Sequence, residues 1–458
     1  MPLDLYMMPP SPPCRAVMML GKAAKIDMNW KVVDMMKQEH MKPEFLKMNP
    51  QHTIPTLDDN GFYLWESRSI LTYLADKYGN DSLYPKDLQA RAHVNRFLYF
   101  DMEKISGKLG PFIYPQLFKG EKPSTELEKE MKDGFDVLEE FLKGKKYVAG
   151  DNLTIADFSI AASISFLEAI KYDISGWANI DAYMKRMKAL PYWKECNDGI
   201  KMIHEMLKKM KENAVPLLYT ICMQSLYALK GRCVLLPSHY SQMPIDLYMM
   251  PPSAPCRAVM MLGKEAKIDI NWKVVDMMNK EQLKPEFIKM NPQHTIPTLD
   301  DNGFYLWESR SILMYLAEKY GDESLYPKDL QARAHVNRFL YFDMEKIYGK
   351  LGPFIYPQLF RGEKPSEELE KAMKDGFDVL EEYLKGNKYV TGDNLTIADF
   401  SIAASIAFLE AIKYDISGWA NIDAYMKRMK ALSYWNECND GIKMIHEMLK
   451  KMKENAAK

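Results

Sequence analysis

Residues 6–20 read YMMPPSPPCRAVMML: a short apolar run, a serine enclosed by prolines, and an apolar segment with helical spacing. The residue before a proline is held in extended geometry, as a helix cap requires, so a helix is predicted to follow Ser11. Nearly the same stretch returns at 248–262 as YMMPPSAPCRAVMML, with its serine at position 253. The segment therefore predicts a strand-to-helix junction that carries a hydroxyl and is made twice.

The repetition extends over almost the whole chain. Residues 1–214 and 243–456 agree at about nine positions in ten, which is the pattern of a tandem duplication. With 47% hydrophobic residues, 27% charged residues and a formal net charge of −1, the chain has the composition of a globular protein. That balance gives no electrostatic reason to expect nucleic acid or an anionic membrane as a partner.

The cysteines show neither metal-ligand spacing nor a disulfide framework, so we expect no metal site. The chain starts without a basic segment leading into an apolar one, and we expect a reducing, cytoplasmic location. The cysteines are Cys14, Cys196, Cys222, Cys233, Cys256 and Cys438.

Residues 215–242 form the predicted linker between the copies and are more apolar than ordinary linkers. The uncharged run at 214–229 is shorter than the about 20 residues that cross a bilayer, so no membrane segment is expected. The second copy restarts at Met243. Two explanations stay open: one polypeptide with two copies, or two adjacent coding units joined in the gene sequence.

Within a copy, the pattern changes partway along. Asn60-Gly61 between two apolar runs predicts a hairpin, whereas residues 87–211 show only helical periodicity, with a break expected at Gly110-Pro111. The order predicts an α+β fold class, in which an α/β domain with a mixed four-stranded sheet precedes an all-α domain. In the first copy we expect strands at 3–8, 27–33, 55–59 and 62–65, and helices at 11–23, 43–48 and 66–78. The predicted domains are 1–80 and 87–214, then 243–322 and 329–458.

The local sequence leaves two interpretations of Ser11. One is an ordinary helix cap, whose hydroxyl accepts a hydrogen bond from the first turn. The other is a hydroxyl that steadies a bound anion at the helix start, where free N–H groups and the macrodipole favour negative charge.

Two further segments bear on this choice. In NPQHTIPTL (49–57), Pro55 indicates either an edge-strand start or a cis bond, and a cis bond would free the backbone of Ile54 to pair with a peptide-like ligand. In LWESRSIL (64–71), a strand runs straight into a helix that begins at Glu66 and Ser67. These two residues suit the ammonium and carboxylate of an amino-acid head group, although capping explains either one alone.

Four motifs together carry a resemblance over nearly the full length of each copy. SPPCR (11–15), NPQHTIPTL, LWESRSIL and NLTIADFSIAASI (152–164) resemble, in order and spacing, a cytosolic glutathione S-transferase of the insect delta/epsilon kind. The resemblance implies a thioredoxin-like domain that binds glutathione as co-substrate, without a further cofactor. It also implies a helical domain that completes a pocket for hydrophobic electrophiles.

The resemblance assigns roles to individual residues. Ser11 would hydrogen-bond and activate the glutathione sulfur, while Ile54 would pair with the cysteinyl backbone beside cis-Pro55. Further glutathione-binding roles fall on Glu66, Ser67 and Arg68 at the γ-glutamyl head and on His40 and His52 at the glycine end. The second copy offers Ser253, His294, Ile296, Pro297, Glu308, Ser309 and Arg310. The hydrophobic pocket would include Ser106, Tyr114, Tyr348 and Tyr356.

The chain departs from the family pattern at some of these positions. A proline, Pro10 or Pro252, precedes the serine where the delta-class pattern usually has glycine, which stiffens the loop. His40 becomes Gln282 in the second copy, and Ser106 becomes Tyr348 on the helix that lines the pocket. Differences at the pocket would give the copies different substrate preferences, although a substitution on an exposed face explains the Ser/Tyr change as well.

Four other residues have simpler interpretations. We expect Cys14 to be a buried structural thiol rather than a nucleophile. Thr154 and Asp157 fit a capping box. Asp101 is expected to be a solvated helix charge, the alternative being a contact with a partner subunit's glutathione.

The expected function is conjugation of glutathione to hydrophobic electrophiles, as in detoxification. The alternatives are a non-catalytic binder of hydrophobic ligands or a structural protein on the same fold, and a glutathione-dependent peroxidase or isomerase. Relatives are dimers, so we expect either a homodimer or a pseudo-dimer of the two copies within one chain.

Overall fold

The computed structural model describes four stretches of the chain, residues 2–122, 124–203, 244–364 and 366–445. The predicted linker 215–242 and the restart at Met243 lie outside them, as do the last residues of the predicted domains 87–214 and 329–458. The chain divides into two compact units, Met1–Met223 and Gln224–Lys458. Within the described stretches, no helix is long and apolar enough to cross a membrane.

Each unit contains a four-stranded mixed sheet. In the first, the spatial order is β2-β1-β3-β4, with β1 parallel to β2 and antiparallel to β3, and with β3 antiparallel to β4. Leu3, Leu5 and Met7 of β1 are buried and alternate with half-buried residues, which is the period of a strand that faces a core. The strands are β1 Leu3–Met7, β2 Met28–Val32, β3 Thr56–Asp59 and β4 Phe62–Trp65, with β5 Ile245–Met249, β6 Ile270–Val274, β7 Thr298–Asp301 and β8 Phe304–Trp307 in the second unit.

Helices surround each sheet and then continue alone, which confirms the predicted fold class. In the first unit they are α1 Pro12–Ala23, α2 Pro43–Met48, α3 Ser67–Tyr78, α4 Leu88–Phe100, α5 Gly107–Tyr114, α6 Thr125–Leu142, α7 Ile155–Ser165, α8 Ala178–Lys188 and α9 Trp193–Asn197. In the second unit they are α10 Ala254–Glu265, α11 Pro285–Met290, α12 Ser309–Tyr320, α13 Leu330–Phe342, α14 Gly349–Tyr356, α15 Glu367–Leu384, α16 Ile397–Ala407, α17 Ala420–Lys430 and α18 Trp435–Asn439.

Helix α1 is the crossover between the parallel strands β1 and β2. Its residues from Cys14 to Gly21 are all buried, because α1 packs on α3 at one side and on α7 of the helical part at another. The helix that follows Ser11 is therefore held by both parts of its unit.

The hairpin between β3 and β4 is confirmed at Asn60-Gly61. Both residues have positive φ, 55° and 93°, as the two-residue turn that matches strand twist requires. The N–H of Gly61 donates to Asp58 Oδ1 at 2.7 Å, so the turn is also closed by a side chain.

The predicted break at Gly110-Pro111 is wrong, because Pro111 lies inside α5. A proline interrupts an ordinary helix by removing an N–H and crowding the carbonyl one turn earlier. Here a π-helical turn at Asp101–Ser106 leads directly into α5, and another at Pro115–Lys119 follows it. We attribute the continuity to these wider turns, which shift the backbone hydrogen-bond pattern around the proline.

The capping box at the start of α7 is confirmed. Asp157, fully buried, accepts hydrogen bonds from the N–H of Val148 at 2.9 Å and from the N–H and hydroxyl of Thr154 at 2.8 and 2.9 Å. Burial raises the pKa of this carboxyl to about 6, and the hydrogen bonds offset that shift only in part. The carboxylate thus fixes the loop before α7 as well as the first turn of the helix.

Asp157→Ala should lower the free energy of unfolding of the first unit by about 2 kcal/mol, because two buried backbone N–H groups lose their acceptor. The second unit keeps Asp399, so chemical denaturation of the full chain should show an early transition and an unchanged later one. Asp151→Ala, at an exposed carboxylate in the same loop, is the matched control and should move neither transition. Equal denaturation curves for the two variants would contradict the role of Asp157 as the acceptor that stabilises this loop and the start of α7.

Candidate functional site

Ser11 ends the turn between β1 and α1. Its backbone is extended, with φ −67° and ψ 121°, and its hydroxyl makes no capping hydrogen bond; Ser253 has the same geometry and the same lack of a cap. The N–H of Ser11 donates to Met8 O at 3.0 Å, which tightens the turn. The interpretation of Ser11 as an ordinary helix cap is therefore not supported, and the hydroxyl lies at the positive end of α1.

Cys14 lies one turn into α1, behind the serine, and is 0% exposed. The N–H of Met8 donates to its Sγ at 3.5 Å. Burial raises the pKa of the Cys14 thiol to about 11, and the Ser11 side chain and this N–H offset only part of the shift. The thiol is therefore protonated near neutral pH, as expected for a structural cysteine.

The loop before β3 contains a cis Ile54–Pro55 bond, repeated at Ile296–Pro297. Asn49 braces this loop from inside, since its Nδ2 donates to Thr53 O at 2.9 Å and to Thr56 Oγ1 at 2.8 Å. Among the described residues, the backbone N–H and C=O of Ile54 form no hydrogen bond. The loop thus presents one residue whose backbone donor and acceptor are not used by the described part of the chain.

Glu66 and Ser67 start helix α3 directly after β4. Glu66 has φ 66° and ψ 104°, a backbone conformation that costs a non-glycine residue about 1–3 kcal/mol, and Glu308 repeats it. Ser67, the first helical residue, is only 6% exposed. The strained residue and the helix start place a carboxylate next to a hydroxyl in the first turn of α3.

Gln51 is a site residue that the sequence analysis missed. Its Oε1 accepts from Trp65 Nε1 at 2.5 Å, which ties the amide to the residue before Glu66. In the second unit the same amide, Gln293, donates to Glu308 Oε1 at 3.3 Å. The one feature of the sequence that pointed to Gln51 was its position in the motif NPQH (49–52), which also contains Asn49.

Arg68 is turned away from the surface toward the helical part of the unit. Its Nη2 donates to Asp101 Oδ2 at 2.5 Å, and the hydroxyl of Ser159 donates to the same oxygen at 2.6 Å. Asp101 is 0% exposed, so the expectation of a solvated helix charge is wrong. The π-helical turn that carries Asp101 directs it inward, where it links the start of α3 to α7.

The structure brings His40 and His52 together. Both side chains are buried, and their ring centroids lie 6.0 Å apart. In the second unit Gln282 replaces His40, and His294 is exposed. The histidine pair is therefore a feature of the first copy.

The four candidate pocket residues occupy two equivalent positions in the copies, and only the first of these positions differs in residue type. Ser106 and Tyr348 are both half-buried, and the Tyr348 ring lies 5.3 Å from the guanidinium carbon of Arg310. Tyr114 and Tyr356 are 38% and 43% exposed, each with one edge against an aromatic ring, Phe166 or Phe408. Position 348 is therefore not an exposed-face substitution, because the tyrosine ring covers Arg310 in the first turn of α12.

Models of two protein domains match the chain, each of them twice. The glutathione S-transferase N-terminal domain matches residues 5–82 and 247–324, and the glutathione S-transferase C-terminal domain matches residues 95–191 and 334–432. Together these matches cover well over half of the chain.

Several solved structures are also similar to it. A delta-class glutathione transferase of Nilaparvata lugens is 46% identical over 46% of this chain and 100% of its own, with a TM-score of 0.44. An epsilon-class glutathione S-transferase of the housefly, Musca domestica, is 38% identical over 45% of this chain and 97% of its own, with a TM-score of 0.43.

A glutathione transferase homologue of Drosophila mojavensis, solved with bound glutathione, is 35% identical over 45% of this chain and 97% of its own, with a TM-score of 0.43. Because both domain models match in both copies and in the same order, the chain belongs to the glutathione S-transferase family and carries it as a tandem duplication.

Proposed function

We propose that each copy ionises the thiol of bound glutathione at its helix-start serine, Ser11 or Ser253. The glutathione is then joined through its sulfur to a hydrophobic electrophile. The observation that carries this proposal is the serine hydroxyl, which lies at the start of α1 without serving as its cap. The thiolate would attack an electrophilic carbon, forming a C–S bond as the leaving group departs with its electron pair.

The energies are sufficient for this role. A free thiol has a pKa of about 8.5, and only the thiolate is an effective nucleophile. Lowering that pKa by about two units requires about 2.7 kcal/mol of preferential thiolate stabilisation. A hydrogen bond to a charged group contributes about 1.5–3 kcal/mol and a helix N-terminus about 0.3–1 kcal/mol. The hydroxyl and α1 together therefore supply the shift without a general base.

The rest of the peptide would bind along the same edge of the sheet. The free backbone groups of Ile54 suit the cysteinyl amide, and Glu66 with Ser67 suits the charged γ-glutamyl head. Gln51 bonds Trp65, the residue before Glu66, and in the second copy Gln293 bonds the equivalent Glu308, so this amide would help to keep the carboxylate in place. The Drosophila mojavensis homologue with bound glutathione supports glutathione as the ligand.

Ser11→Ala should raise the pKa of bound glutathione by about one to two units, because one hydrogen bond to the thiolate is lost. The second copy is silenced by Ser253→Ala, so that one site is observed in the full chain. The measurement is the thiolate absorbance of the complex as a function of pH. Catalytic turnover near neutral pH should fall at least about tenfold, with a smaller change in glutathione affinity.

Ser124→Ala is the control for this experiment. Ser124 is also a helix-start serine, but its hydroxyl accepts from Leu127 N–H at 3.0 Å and caps α6. Its loss should lower stability and leave the thiol pKa unchanged. If Ser11→Ala leaves that pKa in place as well, Ser11 has no part in the mechanism.

We further propose that the copies prefer electrophiles of different size, because the Tyr348 ring occupies space that Ser106 leaves open. Ser106→Tyr in the Ser253→Ala chain should lower kcat/KM for a bulky aromatic electrophile about tenfold relative to chlorodinitrobenzene. Tyr348→Ser in the Ser11→Ala chain should shift the same ratio in the opposite direction. Unchanged ratios in both chains would remove this position from the pocket.

A further inference from the structure

Arg15 is a charged side chain with no contact to water. Although it belongs to the first turns of α1, it is 0% exposed. Its hydrogen-bond acceptors are all uncharged: Pro10 O at 3.3 Å, Ala162 O at 3.0 Å, Ser165 Oγ at 2.7 Å and Asn197 Oδ1 at 2.6 Å. Burying a cation without a paired anion is costly, so this arrangement requires an explanation.

The surroundings compensate the charge only in part. Glu168 acts on Arg15 from a longer distance, but it is about half exposed and pairs with Lys188 at 3.0 Å. The carbonyl of Ala162 belongs to the last turn of α7, whose negative end carries about half an elementary charge. Among the described residues, no carboxylate bonds the guanidinium.

The second copy shows that the hydrogen bonds do not account for the burial. Arg257 is also 0% exposed, yet among the residues that the structure describes its guanidinium bonds only Asn439 Oδ1 at 2.5 Å and Ala404 O at 2.9 Å. Ala407 stands where the first copy has Ser165, and within the described part of the chain the Nε of Arg257 has no partner. The charge of Arg257 stays buried, although two of the four hydrogen bonds of Arg15 have no counterpart among the described residues of the second copy.

The guanidinium lies next to the loop that carries the candidate hydroxyl. Its Nε donates to the carbonyl of Pro10, the residue before Ser11, and the backbone N–H of Arg15 donates to Ser11 O at 3.0 Å. Cys14 already places a sulfur atom in this region. Burial dominates the raised pKa of that thiol, but the charge of Arg15 acts in the opposite direction and favours a thiolate.

We propose that the glutathione thiolate bound at Ser11 is the missing counter-charge of Arg15, and that the thiolate at Ser253 is that of Arg257. This inference rests on the proposed function. Arg15 does not touch the sulfur and is a positioning residue, which acts through its field and through the bond that holds Pro10. A unit charge on the order of 10 Å away, at an effective dielectric constant of about 20, shifts a thiol pKa by about one unit.

The test compares two ligands on the full chain that carries Ser253→Ala. Glutathione has an ionisable thiol, whereas S-methylglutathione has the same peptide groups and none. Arg15→Gln removes the charge, and Arg15→Lys keeps it. Affinities are measured by titration calorimetry above the pKa of the bound thiol and fitted to two sites, because the Ser253→Ala copy still binds both ligands. The site whose affinity changes between the Arg15 variants is that of the first copy, and its thiol pKa is measured by thiolate absorbance.

Arg15→Gln should raise the pKa of the bound thiol by about one unit and weaken glutathione about tenfold relative to S-methylglutathione. Arg15→Lys should give less than half of each effect. An unchanged pKa and affinity ratio in Arg15→Gln would overturn the inference and leave Arg15 as a cap for the end of α7. Failure of the parent chain to bind either ligand would instead overturn the proposed function.

Arg257→Gln in the Ser11→Ala chain repeats the test where the guanidinium has fewer bonds to lose. Folding of each variant is judged by circular dichroism. If Arg15→Gln does not fold, the result for Arg257→Gln decides whether the buried charge stabilises the bound thiolate. If both glutamine variants fail to fold, the charge belongs to the fold rather than to the ligand, and the inference is overturned.

Discussion

The burial of helix α1 is the constraint on which the arrangement of each unit depends. From Cys14 to Gly21 every residue is buried, because the helix lies between the sheet side of the unit and α7. A helix enclosed in this way cannot shift without opening the packing on both sides. The loop before it is also held from the helical part, where a Cβ on Gly199 would come within 2.4 Å of Pro9. The position of Ser11 is thus set by two layers of structure at once.

A second buried link joins the same two parts at the start of α3. Arg68, Asp101 and Ser159 come from the sheet part, the π-helical turn and α7, and all three are buried. A buried ion pair gains little net stability, because desolvation offsets the attraction, but loss of one partner leaves a buried charge at a cost of about 3–5 kcal/mol. The pair therefore specifies one arrangement of the two parts. Because Arg68 follows Glu66 and Ser67, it also holds the turn that would bind the γ-glutamyl head.

The duplication provides two versions of one scaffold. Strands, helices, cis bonds and the capping box recur at equivalent positions, whereas three of the differences lie at the candidate ligand groups. Gln282 replaces His40 and leaves His294 exposed, Tyr348 covers Arg310, and Ala407 removes an acceptor from Arg257. Each change alters a charge, a hydrogen-bond acceptor or the space around a candidate site residue, while the secondary-structure elements stay the same. Such a pair of sites can differ in substrate and in thiol ionisation without a change of fold.

The sequence alone determined the features that depend on neighbouring residues. Asn60-Gly61 fixed the hairpin, Thr154 and Asp157 fixed the cap, and the order of periodic segments fixed the sheet and its helices, because turn and capping preferences act over a few residues. The tertiary structure decided the rest. Asp101 is buried because a residue 33 positions earlier pairs with it, and Arg15 finds its acceptors up to 182 positions away. Pairings of that length depend on how helices pack, which no local pattern encodes. The domain limits and the roles of the site residues accordingly stay predictions.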